Sequence, residues 1–180
     1  MLPSGRHRSL ALALGAPAAT VVLASATAML FGIRINTSYS LPLGLYATTN
    51  EPHAELIEFC PAEPFASESA TRSYRTPGFA CPDGAVPLLK PIVARPGDLV
   101  ILGPEGISVN GHLLRKTYPV PYDASGRPLE PWPPGIYGVK PGTVWVASTY
   151  NAGSYDSRYM GPIHNSQIRR RLRPLWLLRG

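Results

Sequence analysis

Three short stretches of this 180-residue chain hold residue types able to do chemistry. In the first, Ser38-Tyr39-Ser40-Leu41-Pro42-Leu43-Gly44, two serine hydroxyls sit beside a proline and a glycine suited to a turn. A serine hydroxyl is a poor nucleophile at neutral pH unless a neighbouring base takes its proton. The second stretch holds a candidate base. Lys90 lies within Val86–Ala94, a largely apolar run, in a chain with few lysines. A lysine in such a strand ordinarily sits at an edge with its ammonium in water. If it is buried instead, desolvation disfavours the charged form and lowers its pKa, as a lysine general base requires. The third stretch, Ser154-Tyr155-Asp156-Ser157-Arg158, offers hydroxyls and an acid–base pair, whose ordinary uses are turn hydrogen bonds and a surface ion pair.

Ser-Lys dyads are known variants of the Ser-His-Asp arrangement. The scattered histidines His7, His53, His112 and His164, and the absence of a GxSxG elbow, suit a lysine base better than a triad. Without a CxxC motif or ligand-like histidine spacing, no metal site is expected, and the chemistry needs no cofactor.

These residues need elements to position them. Ser9 to Ile33 is an uncharged run, preceded by Arg6-His7-Arg8 and followed by Arg34. At about 1.5 Å per residue it is long enough to cross a hydrocarbon core of about 30 Å. The expected organisation is a cytoplasmic N-terminus over 1–8, a transmembrane signal-anchor helix over 9–33, and an exported domain over 34–180. The basic flank puts the N-terminus inside and the domain on the periplasmic side of a single-pass inner-membrane protein. A cleaved signal peptide is the rival, because Ala24-Ser25-Ala26 and Ala26-Thr27-Ala28 fit cleavage sites. The apolar run continues past both, which favours retention.

The exported domain reads as mostly β. Pro (21) and Gly (17) are frequent and charged residues make up only 16%, a mix that favours turns and short strands over long helices. Val86–Ala94, Leu99–Leu102 and Thr143–Ala147 read as strands, and Gly106–Leu114 as a hairpin with an Asn-Gly turn. Residues 47–83 show weak periodicity and contain a polar loop, and Tyr118–Pro134 is a Pro-rich excursion. Cys60 and Cys81 form a disulfide candidate if this part is exported; closing such a loop typically stabilises by ~3 kcal/mol.

The net charge of +6 raises nucleic-acid binding as an idea. However, the arginines gather at 169–173 and do not alternate with stacking aromatics, as a single-strand binder would want. A basic tail beside Trp176 and Leu177 suits an anionic membrane surface, or is simply a solvated end. The expected partners are membrane lipid and no nucleic acid.

Taken in order, "SLPLGLY", "KPIVARPGD" and "SYDSRYMGP" behind one apolar segment resemble the type I signal peptidases, and more closely their TraF-type relatives from conjugative transfer systems. The likeness anchors Ser38 to Ile163, and the lysine box from Lys90 to Asp98 is its most specific part. Leu41 replaces the usual methionine, and the GDNR-like run before the last box is missing, which favours the TraF-type branch. The resemblance implies a signal-peptidase-like β-rich catalytic fold with Ser40 as nucleophile, Lys90 as general base and Asp156 as a required residue. Ser38 would offer a hydroxyl to the oxyanion alongside the Ser40 N–H, and Ser154 and Arg158 would support the site. It also implies an exported, pilin-like precursor as substrate, with cleavage or cyclisation as the outcome. The alternatives are a general signal peptidase and an inactive membrane-tethered scaffold of a secretion apparatus. A degenerate scaffold would be expected to lose one of Ser40, Lys90 or Asp156, and all three are present.

Overall fold

The computed structural model describes residues 32–178. The expected membrane segment lies outside these residues apart from Gly32 and Ile33, and Ile33 already opens a strand. Among the described residues no helix is long and apolar enough to cross a membrane.

The architecture is mostly β. A seven-stranded antiparallel sheet contains β1 (Ile33–Asn36), β2 (Gly44–Thr49), β3 (Leu56–Phe59), β4 (Leu88–Ala94), β9 (Thr143–Val146), β10 (Ile163–His164) and β11 (Ile168–Leu177). Their order across the sheet is β1-β2-β11-β3-β4-β9-β10. A second sheet has the order β7-β6-β5-β8, from β5 (Leu99–Gly103), β6 (Gly106–Val109), β7 (His112–Leu113) and β8 (Gly135–Gly138). Two short α-helices, α1 (Phe65–Thr71) and α2 (Ser157–Met160), and a 3-10 turn at Asn165–Gln167 complete the regular elements among the described residues.

Local sequence explains several of these. Asn110 and Gly111 both take positive φ, the conformation a two-residue hairpin turn demands, and they join β6 to β7. Asn110 Oδ1 also accepts the Leu99 N–H at 2.9 Å, tying the turn to β5. The Pro-rich excursion stays irregular apart from one bridge between Tyr122 and Pro128. It packs Trp132 against Gly161, where a Cβ would come within 2.5 Å of the indole, and Gly161 also has φ +67. Only glycine suits that position, directly after α2.

The polar loop between the cysteines differs from its reading, because it contains α1. Ala66 and Ser69 are buried, and Phe65 packs against the main core, so the helix docks through small side chains that leave little hydrophobic pattern. A disulfide joins Cys60, just after β3, to Cys81 and closes the segment that carries α1.

The main core gathers Ile57, Phe59, Val144, Val146, Tyr159 and Ile163. A second cluster, including Val100, Leu102, Ile107 and Trp145, joins the smaller sheet to β9. A third, Leu41, Tyr46, Leu56 and Leu172, lies under the loop that carries Ser40. β4 runs between β3 and β9, so Lys90 sits in the sheet interior and not at an edge.

Candidate active site

Ser40 lies in the loop between β1 and β2, and three side chains hold that loop by its backbone. Asn36, the last residue of β1, donates from Nδ2 to the carbonyls of Ser38 (2.9 Å), Leu41 (3.3 Å) and Pro42 (3.1 Å), and its Oδ1 accepts the Ser38 N–H. The Tyr46 hydroxyl donates to the Pro42 carbonyl at 2.6 Å. The Ser148 hydroxyl donates to the carbonyl of Ser40 itself, also at 2.6 Å. Pro42 thus contributes its carbonyl as well as its turn.

Lys90 Nζ stands 2.6 Å from Ser40 Oγ and 2.7 Å from Ser154 Oγ. Ser40 is 8% exposed and Lys90 4%. Burial pushes the Lys90 ammonium down from its ordinary 10.5 to about 8; the nearby Asp156 carboxylate opposes the shift and Arg158 adds to it. A side chain at the sheet edge with its charge in water is therefore not what Lys90 is. An amine this easily deprotonated, one hydrogen bond from a hydroxyl, is able to take the hydroxyl proton.

Asp156 and Arg158 are both 0% exposed, so the pair is no surface ion pair. Arg158 donates from Nε to Asp156 Oδ1 and from Nη2 to Oδ2, both at 2.8 Å. Its other donors reach the carbonyls of Ala152 (2.6 Å), Ser154 (2.8 Å), Tyr118 (3.2 Å) and Lys116 (3.3 Å). Asp156 also caps α2 through the Arg158 N–H and accepts the Ser148 N–H at 3.0 Å. Burial alone would lower the Arg158 pKa, and the Asp156 carboxylate more than offsets this, so the guanidinium stays charged.

Asp156, expected among the reacting residues, hydrogen-bonds to neither Ser40 nor Lys90 among the described residues. Its oxygens are taken by Arg158 and Ser148, and it acts on Lys90 through its charge. It stands in a hydrogen-bonded chain, Arg158–Asp156–Ser148–Ser40. Ser154 is placed directly on Lys90. Ser38 is exposed, and its Oγ accepts the Ser40 N–H at 3.3 Å. The two groups expected to face an oxyanion are therefore bonded to each other, and an incoming oxygen would have to replace that long bond.

Sequence reasoning missed Asn36, Tyr46 and Ser148. Ser148 stands 108 residues from Ser40 and acts on a backbone carbonyl, so no local spacing announces it. Ser148→Ala is expected to leave the Ser40 carbonyl buried and unpaired, costing about 1–3 kcal/mol of stability. If Ser40 is the nucleophile, its displacement should lower kcat roughly tenfold or more with KM little changed. Steady-state kinetics on a peptide ester measure this; an unchanged kcat would remove Ser148 from the account.

The chain belongs to the signal peptidase family, peptidase S26, whose profile matches residues 11–176. Within it the similarity is to conjugative transfer proteins. The plasmid transfer protein TraF of Escherichia coli is 36% identical over 168 residues, covering 88% of this chain and 94% of the relative. The conjugal transfer protein TraF of Agrobacterium fabrum is 34% identical over 165 residues, covering 88% and 91%. Among solved structures, signal peptidase I from Enterococcus faecalis V583 aligns with a TM-score of 0.39 at 17% identity, covering 70% of this chain and all of that one, a likeness too distant to argue from.

Proposed function

We propose that this protein is a membrane-anchored serine endopeptidase that processes an exported, pilin-like precursor of a conjugative transfer system. Family membership supports a peptidase acting on a precursor protein, and the conjugative relatives support a dedicated transfer substrate. The observation that carries the reading is a buried lysine amine 2.6 Å from a buried serine hydroxyl, with its pKa brought down to about 8.

In the proposed reaction neutral Lys90 accepts the Ser40 proton as Ser40 Oγ attacks the scissile carbonyl. The tetrahedral oxyanion draws on the Ser40 N–H and the Ser38 hydroxyl, each typically worth ~3 kcal/mol. The Lys90 ammonium then protonates the leaving amine, and an acyl ester remains on Ser40. Water attacking that ester gives its proton to Lys90, which returns it to Ser40 Oγ as the acyl–oxygen bond breaks and the cleaved product leaves. A substrate amine attacking instead gives a new peptide bond. Ser154 holds Lys90 in line throughout.

The neutral amine is the reactive form, so protonating it removes activity. Accordingly kcat/KM should fall about tenfold per pH unit below a midpoint near 8 and level off above it. A pH profile on a peptide substrate checks this, and a midpoint near 6, or a flat profile, would remove Lys90 as base. The whole reading is tested by the intact mass of the pilin-like precursor from the same transfer system. It is co-expressed with wild type, Ser40→Ala and Lys90→Ala. A shortened product with wild type alone supports the peptidase, and one a water lighter than the trimmed chain adds ring closure. Processing that persists with Ser40→Ala would refute the nucleophile.

A further inference from the structure

The segment closed by the Cys60–Cys81 disulfide carries none of the proposed reacting groups, yet it touches what holds Lys90. Ser154, whose Oγ stands 2.7 Å from Lys90 Nζ, is followed directly by Tyr155. Tyr155 is buried, and its ring packs against Tyr74 and Tyr159, with centroids 5.0 Å and 5.6 Å away. Its hydroxyl donates to Oε2 of Glu68, on α1, 87 residues distant in sequence. Among the described residues this is the one side-chain hydrogen bond between α1 and the stretch 154–158 that supplies Ser154, Asp156 and Arg158.

The helix is fixed by contacts of its own. Arg75, its side chain fully buried, donates to the Ala66 carbonyl at 2.7 Å and to Ser69 Oγ at 2.8 Å, and pairs with Asp83. Phe65 packs against the main core, and Glu68 Oε1 pairs with Arg72 at 3.0 Å. Ser154 is held less firmly. Its carbonyl accepts from Arg158 at 2.8 Å, and its N–H reaches the Asn151 carbonyl at 3.2 Å. A hydrogen bond weakens steeply with small displacements, so the hydroxyl stays on the amine only while this backbone keeps its place.

We infer that Glu68 is a positioning residue for Lys90, acting through the Tyr155 hydroxyl to keep Ser154 Oγ on the amine. That Lys90 is the base rests on the reaction proposed above; the brace on its amine does not.

The test uses the full chain in detergent micelles, grown with isotope-labelled lysine. Lysine occurs only at Lys90, Lys116 and Lys140, so NMR follows the Lys90 side chain through a pH titration with little overlap. Wild type should titrate near 8. Tyr155→Phe keeps the ring and removes the hydroxyl, and Glu68→Ala removes its acceptor. Both should let water replace Ser154 at the amine and raise the Lys90 midpoint to about 8.5 or above. Glu68→Gln, whose amide oxygen still accepts, should titrate as wild type does. Ser154→Ala should give the same rise, and adding Tyr155→Phe to it should change nothing further. In the same samples, kcat on a peptide ester should fall several-fold in Tyr155→Phe and Glu68→Ala, with KM little changed. An unmoved midpoint in both of these variants would overturn the positioning role. So would a Tyr155→Phe shift that adds in full to that of Ser154→Ala. A raised midpoint with unchanged turnover would keep the brace and count against Lys90 as the base.

Discussion

Lys90→Met should abolish turnover and leave the protein at least as stable as wild type at neutral pH. Methionine occupies a similar volume without the amine, so Ser40 keeps its place but loses its proton acceptor. The expected fall is on the order of 10⁴ in kcat/KM, and Ser40→Ala should cost at least as much. The stability half follows from linkage. Burial lowers the folded pKa of Lys90 from 10.5 to about 8, so between those values the unfolded chain binds more protons and stability rises with pH. Below pH 8 the buried lysine therefore costs about 3 kcal/mol relative to a group with no shift. Methionine removes that cost. Denaturant unfolding at pH 7 and pH 10, set beside peptide-ester kinetics, checks both halves. A variant that turns over, or one that loses several kcal/mol at pH 7, would contradict the role given to Lys90.

The second large effect is expected at a residue that touches neither reacting group. Asp156→Asn preserves shape but replaces one carboxylate oxygen with an NH2 facing donors on Arg158 and Ser148. It leaves a fully buried guanidinium without its counter-charge, and breaking such a pair typically costs 3–5 kcal/mol, about the scale of a small domain's whole stability. Activity should fall with it, since Ser148 and Ser154 both depend on this pair for their placement. The thermal midpoint and kcat should drop together, with kcat recovering partly on cooling as the fold is restored. Wild-type stability with lost activity would instead make Asp156 a participant in the chemistry.

Much of the candidate Ser40–Lys90 pair was legible because type and context coincide: a lysine in an apolar run, and a serine in a turn beside a proline. The Asn110-Gly111 turn was legible for a similar reason, since its conformation restricts which residues can occupy it. The helix α1 was not. It packs through Ala66 and a buried Ser69, so its inward face looks as polar as its outward one. β11 read only as a basic tail because its arginines mask the alternation; Leu172 is its one fully buried residue, and its place between β2 and β3 is decided by pairing across more than a hundred residues. The least legible part of the site is what holds it. Asn36, Tyr46 and Ser148 act on backbone carbonyls, and those contacts exist only once distant loops have met.

The central claim is that Ser40 forms a covalent acyl intermediate using Lys90 as its base. Its most direct test is to acid-quench the enzyme during turnover of a peptide ester and locate the acyl group by mass. The account predicts an adduct on the peptide that contains Ser40 in wild type, and none in Ser40→Ala or Lys90→Met. An adduct that survives Ser40→Ala, on Ser38 or elsewhere, would contradict it.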